Sequence, residues 1–180
     1  MKSSRILLLF LILPLTALAQ SDKDEWKRPK HTGRITATYD RTKDQTKLEL
    51  GLMPVTCVVD GCIFFNLESS FSGPKLKSPV DRIILGIAIF TRTLKPFNTP
   101  KLVLYLDGEP MEVGMMKFEG DVPAGELTGL PYSISLTGDE LAKLAGARRV
   151  GGDLAGFRFP FGEDELNAIK DYNHQARTVQ

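Results

Sequence analysis

The sequence predicts a mainly β protein, an antiparallel β-sandwich or flattened barrel of about eight strands with two short peripheral helices. Three observations support this fold class. Apolar and polar residues alternate with a period of two in many runs after residue 33. Turn-forming residues separate these runs at intervals of roughly 8–14 residues. Two further segments, near residues 138 and 163, have the apolar spacing of a helix.

The alternating runs give the predicted strands in chain order. They cover residues 34–39, 46–50, 63–71, 82–91, 101–106, 110–118, 132–136 and 154–161. The fourth run is apolar nearly throughout, which is typical of a strand buried on both faces, so we place it at the centre of a sheet and interpret Gly86 as a possible bulge. Asp107-Gly108 predicts a tight hairpin, because both central positions of a type I′ turn need positive φ.

The helical segments carry signals at their ends. Residues 137–140 (Thr-Gly-Asp-Glu) have the sequence of a capping box, and Gly146 marks the end of that helix. Three acidic residues at 163–165 suit the start of a second helix, because negative charge is favourable at a helix N-terminus. Its predicted apolar face consists of Leu166, Ile169 and Tyr172.

The N-terminus has the layout of a secretory signal peptide. Lys2 and Arg5 precede an unbroken apolar run at residues 6–13, and the small-x-small pattern Ala17-Leu18-Ala19 follows. Spanning a bilayer takes roughly 20 apolar residues, more than this proline-interrupted stretch offers. We therefore predict a signal peptide at residues 1–19, with a retained membrane anchor as the alternative.

Cleavage is predicted between Ala19 and Gln20, and no stable membrane span should remain after it. The product is expected to be exported, either periplasmic or secreted. It would have 161 of the 180 residues, the size of one domain. Losing Lys2 and Arg5 leaves 21 basic against 22 acidic residues, a net charge of −1 with neutral histidines. A chain with this net charge has no long-range positive field that would attract a nucleic-acid backbone.

The mature chain is predicted to begin with a flexible tether at residues 20–33, followed by a single β-rich domain at residues 34–180 that ends in a helix. The tether contains Trp26 and several basic residues, the composition of a docking arm for an acidic partner. Neighbouring acidic residues dilute that charge, which favours a solvated, poorly packed leader.

Cys57 and Cys62 are the only cysteines, and they are expected to pair in an oxidising compartment. A straight strand would place their Cα atoms roughly 16 Å apart, far beyond the roughly 4.4–6.8 Å of a disulfide, so the chain must turn between them. A two-residue hairpin at Asp60-Gly61 pairs other residues and excludes the bond. We therefore predict a wider loop, residues 58–61, closed by a disulfide. The alternative is a redox or metal-binding pair, although redox sites favour C-x-x-C.

Catalytic motifs are weak in this sequence. His31 lies in the predicted tether and His174 in the last helix, so neither is an obvious buried general base. We predict no catalytic residue, no cofactor and no metal site. A paired-carboxylate hydrolase remains the alternative, because folding can bring such acids together. Its candidates are the loop residues Asp40, Asp44, Asp107 and Asp121.

The pattern of motifs resembles a type of small exported bacterial β-protein of unknown function. The resemblance spans most of residues 34–172. It rests on Tyr39-Asp40-x₃-Asp44-x-Thr46-x-Leu48, several strands, residues 136–141 (LTGDEL) and a strand predicted at residues 150–157. It implies a bacterial source and a sandwich-like fold with terminal helices, and it supplies no substrate. We therefore predict a non-catalytic binding or interaction module whose partner is an envelope or extracellular protein or glycan.

Overall fold

The computed structural model describes residues 26–58 and 61–179. The predicted signal peptide, its cleavage site between Ala19 and Gln20, and residues 20–25 of the predicted tether lie outside this part of the chain. Its elements in chain order are β1 (Ile35–Asp40), β2 (Gln45–Val58), β3 (Gly61–Ser72), β4 (Arg82–Thr91), β5 (Lys101–Leu106), β6 (Glu109–Met115), β7 (Lys117–Phe118), β8 (Val122–Ala124), β9 (Leu127–Thr137), α1 (Gly138–Gly146), β10 (Val150–Leu154), β11 (Phe157–Pro160) and α2 (Glu163–Arg177).

The strands form two antiparallel sheets. The larger has seven strands in the order β1-β2-β3-β4-β9-β7, with β8 also paired to β9, and the smaller has the order β11-β10-β5-β6. One hydrophobic core contains residues from both sheets and both helices. Phe65 of β3 meets Phe161 across the layers with ring centroids 5.2 Å apart. The mainly β, sandwich-like fold class is therefore confirmed, and the sheets do not close into a barrel.

β4 lies inside the larger sheet between β3 and β9, as predicted. Its core-facing side chains Ile83, Leu85 and Ile87 are buried. Gly86 forms no bulge, because the register with both neighbouring strands is unbroken there. A Cβ at this position would overlap the side chain of Asn66, which lies across the β4 backbone, so glycine is needed for close approach.

Both predicted helices are present and cover the core side of the larger sheet. The capping box of α1 is complete: Glu140 N donates to Thr137 Oγ1 at 3.2 Å, and Thr137 N donates to Glu140 Oε2 at 2.7 Å. On α2, the predicted face is buried, and the Tyr172 hydroxyl lies 2.8 Å from Ser69 Oγ of β3. Packing against the sheet therefore fixes the helix that the apolar spacing predicts.

Several strand boundaries differ from those predicted. β2 continues to Val58 because register shifts after Leu50 and Pro54 interrupt the alternation that the sequence pattern depends on. The predicted strand at residues 154–161 is two strands, β10 and β11. Ala155 and Gly156 turn the chain between them with φ of 54° and 90°, a hairpin that the apolar pattern does not reveal.

Residues 26–33 are packed against α2, which corrects the expectation of a poorly packed leader for this part of the predicted tether. Thr32 N donates to Asp164 Oδ1 at 2.9 Å, and Asn167 Nδ2 donates to Lys30 O at 3.2 Å. Gly33 passes so close to the core that a Cβ there would overlap the sulfur of Met53. We call residues 26–33 the strap.

Candidate functional site

The disulfide between Cys57 and Cys62 is present and joins β2 to β3. The two cysteines face each other in the strand register, and Val58 pairs with Gly61 beyond them. The connection is therefore tighter than the predicted loop at 58–61, since only residues 59 and 60, which lie outside the described part of the chain, separate the paired strands. The bridge closes one end of the larger sheet.

The four candidate carboxylates lie in three separate loops. Asp40 and Asp44 bracket the β1–β2 turn, where Asp40 accepts hydrogen bonds from the Thr42 backbone at 2.9 Å and from the Thr42 hydroxyl at 2.6 Å. These hydrogen bonds lower the pKa of Asp40. Asp44 has a φ of 46° and accepts from the Tyr39 hydroxyl at 2.7 Å. Both acids therefore stabilise their own turn.

Asp107 and Asp121 occupy the other two loops. Asp107 accepts from the backbone N–H groups of Arg149 at 2.9 Å and Arg148 at 3.0 Å, and these bonds lower its pKa. Asp121 is exposed between β7 and β8. A glycosidase acid needs a raised pKa beside a second carboxylate, so the structure does not assemble the predicted four into that arrangement. Among the described residues, no group of three or more potential metal ligands is formed.

His31 and Asp171 form a buried pair that the sequence did not indicate. His31 Nε2 lies 3.1 Å from Asp171 Oδ2, and the side chains are only 6% and 2% exposed. Arg28 Nε approaches the same oxygen at 3.2 Å. The prediction that His31 lies in a solvated leader is therefore wrong. The two residues are 140 positions apart, and no local pattern reports a pairing of that range.

The His31–Asp171 pair holds the strap on α2. A cleft of about 370 Å³ beside it is lined by backbone and side chains of the strap together with Ile35 and Asp171. None of the residues that line this cleft is a serine, threonine or cysteine, the nucleophiles that a His–Asp couple activates in acyl transfer. What the structure shows of the pair is a contact between the strap and α2.

The larger sheet has a second face that neither helix nor the smaller sheet covers. We call it the open face, and define it by the side chains that point away from the core. Three of its rows run across the strands: Glu68, Ile84 and Ser135; Asn66, Gly86 and Ser133; Phe64, Ala88 and Pro131. The alternation of β-strands places these residues opposite the buried ones.

An apolar depression of about 330 Å³ lies in the open face. Small residues, Gly86, Ala88 and Gly129, line it, and they offer at most a methyl group above the backbone of the sheet. Leu52 and Val122 stand on its rim and are 57% and 48% exposed. Leu52 and Val122 thus bring two exposed aliphatic side chains to one concave surface, which makes the depression the candidate interaction site of the open face.

The neighbouring part of the open face is polar and internally paired. Lys47 Nζ lies 2.9 Å from Glu68 and 3.1 Å from Glu49, which raises the pKa of the lysine. Glu119 accepts from Lys117 at 2.7 Å and from the Ser133 hydroxyl, and its pKa is lowered. These charged groups are already paired with one another, so the apolar depression is the part of the open face that gains most from contact with another molecule.

No helix in the described part of the chain is long and apolar enough to cross a membrane. In comparisons with protein-family models, with curated proteins and with solved structures, no match to this chain was found.

Proposed function

We propose that this chain is an exported, non-catalytic binding module that holds a protein of the cell envelope or the extracellular space on its open face. The observation that carries the proposal is the apolar depression with Leu52 and Val122 exposed at its rim. Covering two such side chains releases water from apolar surface and stabilises a complex, whereas leaving them exposed brings the free protein no gain.

The chemistry of the depression favours a protein over a glycan. Sugar rings usually stack on exposed aromatic rings and require polar groups at the rim. Here the exposed rim residues Leu52 and Val122 are aliphatic, and of the polar residues at the depression, Glu49 is already paired with Lys47. The ring of Phe90 is half-buried and packs edge-on against Phe64. An apolar side chain of a partner protein therefore fits the depression best.

Two features support export. The N-terminal charge, apolar run and Ala17-Leu18-Ala19 pattern have the layout of a cleaved secretory signal. The Cys57–Cys62 disulfide suits an oxidising compartment, where such bonds persist. Together with the resemblance to small exported bacterial β-proteins, these features support a function outside the cytoplasm, in the periplasm or the medium.

The proposal is tested by photo-crosslinking from position 52 in the native envelope, followed by identification of the captured protein. Val122→Asp places a charge on the rim and is expected to weaken capture by roughly 10- to 100-fold, the effect of losing one buried aliphatic side chain. Val179→Asp is the matched control, because Val179 is 55% exposed but lies after α2.

Capture that is equal in the two variants would contradict the assignment of the open face. Turnover of glycan or ester substrates by the purified domain, with nothing captured, would contradict the binding function itself and favour the carboxylate hydrolase.

A further inference from the structure

We infer that β1 is a docking edge for a second copy of this chain, with the two β1 strands paired antiparallel about a two-fold axis at Ala37. The proposal does not depend on the function of the open face. It rests on the backbone of β1, on the other sheet edges of the molecule, and on the self-complementary order of residues 34–40.

The register with β2 determines which backbone groups of β1 are free. Gly51 N donates to Arg34 O at 3.0 Å, and these two residues are opposite each other in the β1–β2 register. Hydrogen-bonded and non-hydrogen-bonded pairs alternate in an antiparallel ladder. The even-numbered residues of β1 therefore bond to β2. Ile35, Ala37 and Tyr39 direct their N–H and C=O groups away from it, where no other described strand pairs with them.

β1 differs from the other strand edges among the described residues. It has six residues in continuous register with β2, and it contains neither proline nor lysine. The other outer strands carry features that block strand addition: Pro110 and a register shift in β6, Pro123 in β8, Pro160 in β11, and a length of two residues in β7. β1 is the edge best suited to accept a further strand.

Residues 34–40 are complementary to themselves when read in the opposite direction. With Ala37 opposite Ala37 of the second copy, Ile35 lies opposite Tyr39. Both are outward-bonding positions, meaning that their N–H and C=O groups point away from β2, so they form hydrogen-bonded pairs across the dimer. An aliphatic residue opposite an aromatic one is a favourable cross-strand pair.

The same register also satisfies the charges. Arg34 at one end of the segment lies opposite Asp40 at the other end, twice in the symmetric pair. A shift by one residue would place outward-bonding positions opposite positions already bonded to β2. The backbone therefore restricts the pairing to every second register, and among these the opposite charges favour the one centred on Ala37, which closes a two-fold dimer.

The two-fold axis of this pairing is perpendicular to the sheet. The open faces of both copies would thus lie on the same side of one continuous sheet. If the proposed function holds, the dimer presents two apolar depressions to one partner surface, which raises the apparent affinity without new contacts.

Disulfide trapping with the full mature chain tests the register. The two Cα atoms of a hydrogen-bonded pair lie about 5.5 Å apart, within the range of a disulfide. Ala37→Cys is therefore expected to form a covalent dimer on mild oxidation. Thr38→Cys is the matched control, because Thr38 is the next residue in the strand and is also exposed, but lies opposite Thr36 of the second copy. Peptide mapping verifies that Cys57–Cys62 stays intact.

Charge reversal tests the partner. Arg34→Glu and Asp40→Lys each place like charges opposite one another twice, and each is expected to weaken dimerisation about tenfold. Mixing the two variants restores both opposite-charge pairs, so sedimentation should show a heterodimer that is stronger than the homodimer of either variant. Circular dichroism verifies the fold of each variant.

A wild-type chain that sediments as a monomer at millimolar concentration would overturn the inference. Equal crosslinking of the cysteine variants at positions 37 and 38 would overturn the register, as would two charge variants that dimerise as well separately as mixed. Capture of a partner on the open face is measured in a separate experiment, so failure of the dimer can be told apart from failure of the proposed function.

Discussion

The hydroxyl of Tyr172 is expected to contribute measurably to the stability of this protein. Tyr172 is fully buried on α2, and its hydroxyl lies 2.8 Å from Ser69 Oγ and 3.2 Å from Leu48 O. Leu48 and Ser69 face each other across β2 and β3. One side chain thus connects the helix to two neighbouring strands of the larger sheet.

Tyr172→Phe keeps the ring and removes these hydrogen bonds. The Ser69 hydroxyl, which is buried, would then lack that partner, and an unsatisfied buried polar group costs about 1–3 kcal/mol. For a domain of this size each 1 kcal/mol lowers Tm by roughly 2–4 °C. We therefore expect a lower midpoint in both thermal and denaturant unfolding, with the m-value unchanged.

A double-mutant cycle with Ser69→Ala isolates the interaction. Ser69→Ala removes the hydroxyl that Tyr172→Phe would leave unsatisfied, so the double variant should lose less stability than the sum of the single variants, by about 0.5–1.5 kcal/mol. A Tyr172→Phe protein as stable as the wild type, or strictly additive losses, would refute the reasoning.

Alkaline pH provides a second measurement of the same residue. Burial raises the pKa of Tyr172 well above its ordinary value of 10.0, so the folded state retains a proton that the unfolded state releases. Its contribution is fully present below pH 10 and is lost as pH rises further, by up to about 1.4 kcal/mol per pH unit. Tyr172→Phe should lose less stability above pH 10, because the other tyrosines titrate in both proteins. Parallel pH profiles would contradict the burial of this hydroxyl.

Three further predictions concern glycine, acid and the disulfide. Gly61→Ala should destabilise by about 1–3 kcal/mol in denaturant unfolding, because its Cβ would overlap the backbone carbonyl of Phe90, whereas Gly51→Ala meets no atom closer than 3.7 Å and should cost less. Asp107→Asn should reduce the loss of stability in acid. Backbone N–H groups of Arg149 and Arg148 lower the pKa of Asp107, so the stability that this carboxylate contributes is present above its ordinary pKa of 3.8 and is lost as pH falls through the lowered pKa. Unfolding midpoints between about pH 5 and pH 2 would measure the difference between the variant and the wild type. Reduction of Cys57–Cys62 should cost about 2 kcal/mol, the chain entropy of a short loop, without unfolding the protein, and thiol titration of the native chain should find no free cysteine before reduction.

Local signals in the sequence were sufficient for the helices and for several strands. The α1 capping box, the apolar spacing of α2 and the Asp107-Gly108 hairpin, with φ of 54° and 99°, all depend on residues within one turn of each other. The apolar run of β4 predicted a strand at the centre of a sheet, and β4 lies there, although its Ile84 and Ala88 point to the open face. These features follow from short-range chemistry.

The features that the sequence did not predict depend on distant partners. The strap looks solvated in sequence because its residues are polar, but His31 finds Asp171 on α2, and Thr32 finds Asp164. A glycine inside a strand pattern suggests a bulge, but Gly86 is needed because the side chain of Asn66 on the neighbouring strand lies over it. The open face was equally hidden, since its depression is formed where small residues from β4 and β9 meet.

The larger sheet supplies both proposed surfaces, its outer face and its β1 edge. Ile35 of β1 still packs against the core, but Ala37 and Tyr39, which point to the same side, are exposed. Nothing in the described part of the chain covers the opposite side of the larger sheet. The layer that builds the core therefore leaves one face and one edge of the same sheet for other molecules, and both can be tested without disturbing the core.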